Sequence, residues 1–165
     1  MLLKIFTALI SSTLLFNPNH YPELNVSEKD IHASYTTIQK AERQFENKFQ
    51  RNIKVPQYVP LKHNYTGGFF DEAKGSLTLD YLDTNNNLKF EVKAIKGILN
   101  ENVNRGEKIQ LKDGHAYYLN KKEHVADYIV FQDKDNEVIY FLSMNKKTQG
   151  ETHLQELIKA ADSLQ

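Results

Sequence analysis

Tyr128-Ile129-Val130-Phe131, Asp133-Lys134-Asp135-Asn136 and Val138-Ile139-Tyr140-Phe141-Leu142 follow one another closely along the chain. Two short runs dense in β-branched and aromatic residues, split by a polar turn, read as the strands of a hairpin. Neither run alternates apolar with polar, as a strand with one wet face does. Both faces of this pair are therefore expected to be covered. Strands this apolar need neighbours on either side and other elements laid over the sheet.

Upstream the signal has period two. Leu77, Leu79 and Tyr81 alternate with Thr78 and Asp80, and Leu88, Phe90, Val92 and Ala94 alternate with Lys89, Glu91 and Lys93. Between these strands, Asp83-Thr84-Asn85-Asn86-Asn87 is a turn of residues that tolerate left-handed backbone. Ile109 and Leu111 mark another strand, and Asp113-Gly114 a tight hairpin into Ala116-Tyr117-Tyr118-Leu119. Val55-Pro56 and Val59-Pro60 keep the residue before each proline extended, so Lys54 to Leu61 reads as a stiff connector or edge segment. Tyr65 to Phe70, with its paired glycines, reads as a turn flanking an opening in the sheet. The asparagine-rich stretch from Asn100 to Asn104, ending at Gly106, reads as a mobile loop.

A helix is expected at each end of this region. Ser27-Glu28-Lys29-Asp30 has the form of an N-cap followed by an acidic first turn, and Ile31, Tyr35, Ile38, Ala41, Phe45 and Phe49 recur every three or four residues. That stripe predicts a helix from about Glu28 to Gln50, docked on its own sheet in the favoured reading and lying on a membrane in the alternative that its basic outer face keeps open. Thr152-His153-Leu154-Gln155, just after Gly150, resembles a capping box and opens a second stripe of Leu154, Leu157, Ile158, Ala161 and Leu164. The expected fold is α+β. An antiparallel meander of about six strands, paired locally throughout, carries an N-terminal and a C-terminal amphipathic helix packed on it.

The 165 residues are 40% hydrophobic and 25% charged, proportions that exclude disorder, collagen-like repeats and a coiled coil. Twenty-one basic side chains balance 21 acidic ones, which excludes a strongly basic nucleic-acid binder. Without cysteine there is no disulfide, no thiolate metal site, no cysteine nucleophile and no lipobox. Residues 1–16 differ in composition: Lys4, then the 12-residue run from Ile5 to Phe16, then polar Asn17-Pro18-Asn19-His20. This order is that of an export signal, and the run is shorter than the roughly 20 residues that span a bilayer. Phe16-Asn17-Pro18-Asn19 is a poor cleavage sequence, so an uncleaved interfacial anchor is a second reading and a buried N-terminal strand or helix a third. Residues 17–26 then form a spacer and 27–165 a single domain. Loss of Lys4 with the signal leaves 20 basic and 21 acidic residues, a net of −1.

The motifs that carry chemistry are weak. Asp83-x-Asn85-x-Asn87 imitates the start of an EF-hand loop, but Leu88 stands where glycine is needed and Ala94 where the bidentate glutamate is needed. A hairpin turn explains the same residues. The histidines His20, His32, His63, His115, His124 and His153 form no HExxH, although His115 and His124 would approach one another across a hairpin. Ser143-Met144-Asn145-Lys146 matches S-x-x-K without its companion motifs, and there is no G-x-S-x-G elbow or phosphate loop. Asn25-Val26-Ser27 and Asn64-Tyr65-Thr66 are sequons only in a glycosylating host. Twelve of the 18 aromatics lie between Tyr58 and Phe141. They fit core packing and cross-strand pairs, or else a concave aromatic face for an apolar or peptide ligand. No catalytic, cofactor-binding or metal-binding residue is assigned.

The order of these pieces resembles a known family. Val55-Pro56-Gln57-Tyr58-Val59-Pro60 leads into Leu77-Thr78-Leu79-Asp80-Tyr81. Strands follow around Tyr117-Tyr118 and Tyr128 to Phe131, and Tyr140-Phe141-Leu142-Ser143 precedes a helix ending Ala161-Asp162-Ser163-Leu164. This resembles an uncharacterised extracytoplasmic domain family of Gram-positive spore-formers, over about residues 53–164. The tryptophan frequent in that family's strand has no counterpart among Tyr128 to Phe131. The resemblance implies an α+β sheet and an envelope location, and brings no catalytic residues. The expected function is thus a secreted or envelope-associated, non-enzymatic domain without cofactor that binds a peptide, lipid or envelope protein. It touches the membrane only through an uncleaved N-terminus and does not bind nucleic acid. The alternatives are an anchored regulatory sensor domain and a hydrolase assembled from His and Asp residues.

Overall fold

The computed structural model describes residues 35–100, 106–119, 126–145 and 153–165. The expected signal and spacer, Ser27 as a cap, His20, His32, His124, Lys146 and Thr152 lie outside them. The elements are α1 (Ile38–Phe49), β1 (Tyr65–Asp71), β2 (Ser76–Asp83), β3 (Leu88–Lys96), β4 (Glu107–Leu111), β5 (Gly114–Leu119), β6 (Ala126–Asp133), β7 (Val138–Asn145) and α2 (Leu154–Asp162). The chain is α+β, with one antiparallel sheet of seven strands and two helices among the described residues.

The strand order β1-β2-β3-β7-β6-β5-β4 corrects the expected meander. Pairing is local within β1–β3 and within β4–β7, but β3 pairs with β7, from Phe90↔Met144 to Lys96↔Val138. The pattern has a physical logic: β7, the most apolar strand, takes the centre of the sheet, where both of its edges are paired.

The additional strand is β1, in the segment read as a turn. Its glycines are there because other groups sit where side chains would be. A Cβ on Gly68 would lie 2.8 Å from the Ala41 Cβ on α1, and one on Gly67 would lie 3.0 Å from both the Tyr35 ring and the Tyr65 hydroxyl.

The first helix begins later than its apolar stripe suggested. Tyr35 to Thr37 are not helical: Thr36 exchanges two 2.8 Å backbone hydrogen bonds with Gly68 on the edge of β1. Thr37 is the N-cap, its side chain accepting from the Lys40 N–H, and Gln50 ends the helix in the left-handed region at φ 52°. In α2, His153 holds the N-cap position without a side-chain cap bond. Asp127 supplies the acceptor from β6, its Oδ2 taking the His153 N–H at 3.2 Å. Leu164 falls outside the helix and bridges Pro56 instead.

Both helices lie on one face of the sheet, which corrects the expectation that between them they cover both. Register places Phe70, Leu77, Val92, Leu142 and Ile129 on the same side. These join Ala41 and Phe45 of α1 and Leu157 and Ala160 of α2 in one core. The connector from Arg51 to Leu61 runs between the helices and is tied to the end of α2 by Val55–Gln165 and Gln57–Ser163 backbone bonds.

Three hairpins share one turn design. Asp71, Asp83 and Asp133 each accept backbone N–H groups from inside the following turn, and the fourth turn residue is left-handed: Gly75 at 60°, Asn87 and Glu137 at 52°. Asp83 and Asp133 also accept the amides of Asn86 and Asn136, at 2.7 and 2.9 Å. The residues that imitate an EF-hand are thus the closing groups of a turn.

Candidate functional site

The ladder joining β5 to β6 is short. It runs over Tyr117↔Val130, Tyr118↔Ile129 and Leu119↔Tyr128, whereas β6 follows β7 all the way to Asp133↔Val138. Gly114 to Ala116 stay with β4, from Ile109↔Ala116 to Leu111↔Gly114. Past Tyr117 the β4–β5 hairpin therefore leaves the body of the sheet, and a cleft of about 310 Å³ opens between it, the β6–β7 turn and the C-terminal end of α2. The volume is at the lower end of ligand pockets.

The floor of the cleft is apolar. Phe131 and Tyr140 stack at 5.5 Å and 17°, flanked by Leu111, Ala161 and Leu164. The Tyr140 hydroxyl accepts the Lys54 N–H at 2.8 Å. Burial pushes this hydroxyl well above its ordinary value, so it stays protonated at any physiological pH. Carboxylates stand around the rim: Asp113 and Asp135 are exposed on two turns, and Asp162 accepts the Lys112 N–H at 2.8 Å. Asp133 is already paired with Lys54 Nζ at 3.0 Å. Burial alone would raise its carboxyl, but the Asn136 amide and Lys54 outweigh burial and hold it below the usual range. The paired glycines expected to flank an opening lie elsewhere, in β1.

A second polar cluster sits on the sheet face opposite the helices. Asp80 and Glu91 are direct cross-strand neighbours, and Lys89 Nζ reaches both, at 2.9 and 2.8 Å. The Tyr35 hydroxyl donates to Asp80 Oδ2 at 2.6 Å. Asp80 is 3% exposed, and its Oδ1 has no donor among the described residues. Burial, with Glu91 beside it, raises the Asp80 carboxyl above its ordinary value although Lys89 pulls the other way. Burial would lower the Lys89 ammonium, but Glu91 and Asp80 more than reverse that. Tyr35 is raised by burial and by Asp80. The sequence reading placed Asp80, Lys89 and Glu91 among the alternating polar positions and did not single them out. Their signal was the register of the Asp83–Leu88 turn, which sets Asp80 opposite Glu91.

The remaining sequence candidates are dispersed. His63 lies between the connector and β1 with its ring edge-on to Tyr81 at 5.4 Å, His115 stands beside Tyr117 at 5.6 Å in the lining of the cleft, and His153 occupies the N-cap position of α2. Ser143 is buried in β7 between Glu91 and Tyr128. The Asn64 amide is committed to Thr84, donating to its Oγ1 at 2.8 Å and accepting its N–H at 3.0 Å. Among the described residues no three His, Asp or Glu side chains converge as a metal would require, and no helix is long and apolar enough to cross a membrane. Comparison with known protein families, with curated proteins and with solved structures finds no match.

Proposed function

We propose that this chain is an exported, non-enzymatic domain of the cell envelope that binds an extended peptide segment of a partner in the cleft where β5 leaves β6. The observation that carries the reading is the lapse of the β5–β6 ladder at Tyr117↔Val130, which opens an aromatic-floored cleft between two strands. An extended segment suits such a place, with side chains entering the floor while its backbone runs beside the strands. The export half of the proposal rests on the order of charged, apolar and polar residues in 1–16, and the envelope address also on the family resemblance of 53–164.

Each half has its own test. Amide chemical-shift mapping with mixed-sequence hexapeptide pools is expected to perturb Leu111, Phe131, Tyr140 and Ala161. Shifts confined to other surfaces, or none at millimolar peptide, would overturn the binding site. N-terminal sequencing of the protein from culture medium and membrane fractions tests export, and a cytoplasmic form that keeps Met1 would remove it.

A further inference from the structure

The same cleft has a charge and a floor that select among peptides. We propose that its ligand presents a cationic side chain, lysine- or arginine-like, flanked by apolar residues. The proposal rests on the peptide-binding reading above and specifies the chemistry of that site.

Four carboxylates line the cleft, those of Asp113, Asp133, Asp135 and Asp162, against the two lysines Lys54 and Lys134. Lys54 is spent on Asp133 at 3.0 Å, so Asp113, Asp135 and Asp162 face a single remaining lysine at the rim. Carboxylates dispersed over a surface select nothing; these surround a cavity, and its floor adds a second, independent preference. The half-buried Phe131 ring, stacked on the fully buried Tyr140, is the aromatic surface that a cation meets, and half-buried Leu164 beside it accepts the methylenes of a long basic side chain. The C-terminal end of α2, with Ala161 and Asp162 in the wall, is the negative end of a helix and acts in the same sense. An anionic side chain would meet all three features with the wrong sign.

The test uses the full chain and three peptides, acetyl-Leu-Lys-Leu-Ala-amide and its Gln and Glu counterparts, with affinities from titration calorimetry and the site from amide shifts. The Lys peptide is expected to bind about tenfold more tightly than the Gln peptide at low ionic strength, with the Glu peptide weaker still. That preference should shrink as salt screens the rim. Asp113→Asn combined with Asp135→Asn, both on exposed turns, should cut the Lys-over-Gln ratio to about threefold or less, on the basis of two lost rim charges, and leave the melting temperature unchanged. Equal affinity of the Lys and Gln peptides in the cleft would overturn the cationic preference while leaving peptide binding standing. Failure of all three peptides to shift the cleft would remove both. A Lys preference that survives the double substitution would overturn the role of the rim.

Discussion

The two faces of the sheet exclude water by different means. On the inner face, Leu77, Leu79, Phe90, Ile129, Tyr140 and Leu142 are wholly buried under two helices and a connector. On the outer face, Asp80 is nearly as deeply buried, but among charges: Lys89 is shared with Glu91, and the Tyr35 hydroxyl closes over one carboxylate oxygen. Apolar burial scales with area and does not change with pH. A buried carboxylate is tolerated only while its counter-charge and donors are in place. The apolar core of the inner face therefore supplies stability that does not depend on pH, and the charged cluster of the outer face makes stability conditional on protonation.

The largest effect is expected inside. Phe45 is fully buried and meets Phe49 and Phe70 edge-on at 4.8 and 5.9 Å. Phe45→Ala should cost about 3–5 kcal/mol in urea unfolding, by the same amount at pH 7 and at pH 4.5. Half-buried Phe70 belongs to the same cluster, and Phe70→Ala should cost about 2–3 kcal/mol. A Phe45→Ala deficit that changes strongly with pH would break the distinction between the faces.

Lys89→Ala comes next, at about 3 kcal/mol at neutral pH, because it strands Asp80 and Glu91 side by side. The pH dependence has a definite sign. Asp80 is raised in the folded chain, chiefly by burial. The folded state therefore holds this proton more tightly than the unfolded chain. The group favours folding when protonated, and that advantage is lost as pH rises from the ordinary carboxylate value through the raised one. Removing Lys89 raises Asp80 further, so the Lys89→Ala deficit should shrink as the pH is lowered. Asp133 works oppositely: its lowered carboxyl gives stability above the ordinary carboxylate range that fades as pH falls through the lowered value. Asp80→Asn should cost under about 1 kcal/mol at pH 7, since Lys89 keeps Glu91 at 2.8 Å and one buried charge disappears. Equal costs for Lys89→Ala and Asp80→Asn would mean that the cluster is not short of positive charge.

What was legible in the sequence divides along the same line. Period two exposed β2 and β3, where inner-face burial alternates with polar positions, and the apolar runs exposed β6 and β7, where outer-face residues such as the buried Val130 are apolar as well. β1 was hidden because Gly67 and Gly68 pack through the absence of side chains, against Tyr35 and α1. The β3–β7 pairing was hidden because strand order depends on contacts between residues far apart, such as Val92↔Leu142. Asp80 looked like a wet-face residue, since alternation cannot tell a solvated carboxylate from one buried beneath a tyrosine. The cleft was missed for a related reason. Ala116 and Phe131 each read as part of an ordinary strand, and nothing local records that the two strands part there. Sequence did locate the turns, where Asp83 and Asp133 act on their own neighbours.

The smallest effect isolates the two faces within a single dipeptide. Phe69 and Phe70 are adjacent in β1 and point to opposite sides. Phe70 packs into the Phe45–Phe49 cluster, while Phe69 is 36% exposed on the outer face with its ring 6.2 Å from that of Tyr35. Phe69→Ala removes area that is only partly shielded from water, so it should cost about 1 kcal/mol or less, well under the Phe70→Ala value in the same assay. Its pH profile is the sharper readout. If the Phe69 ring helps hold Tyr35 over Asp80, Phe69→Ala should add a small pH-dependent loss resembling that of Lys89→Ala. If Phe69 is only a patch of covered area, its deficit should be flat. A flat profile with a cost equal to that of Phe70→Ala would show that the outer face of β1 is packed as tightly as the inner one, and the contrast between the faces would then be confined to the charges around Asp80.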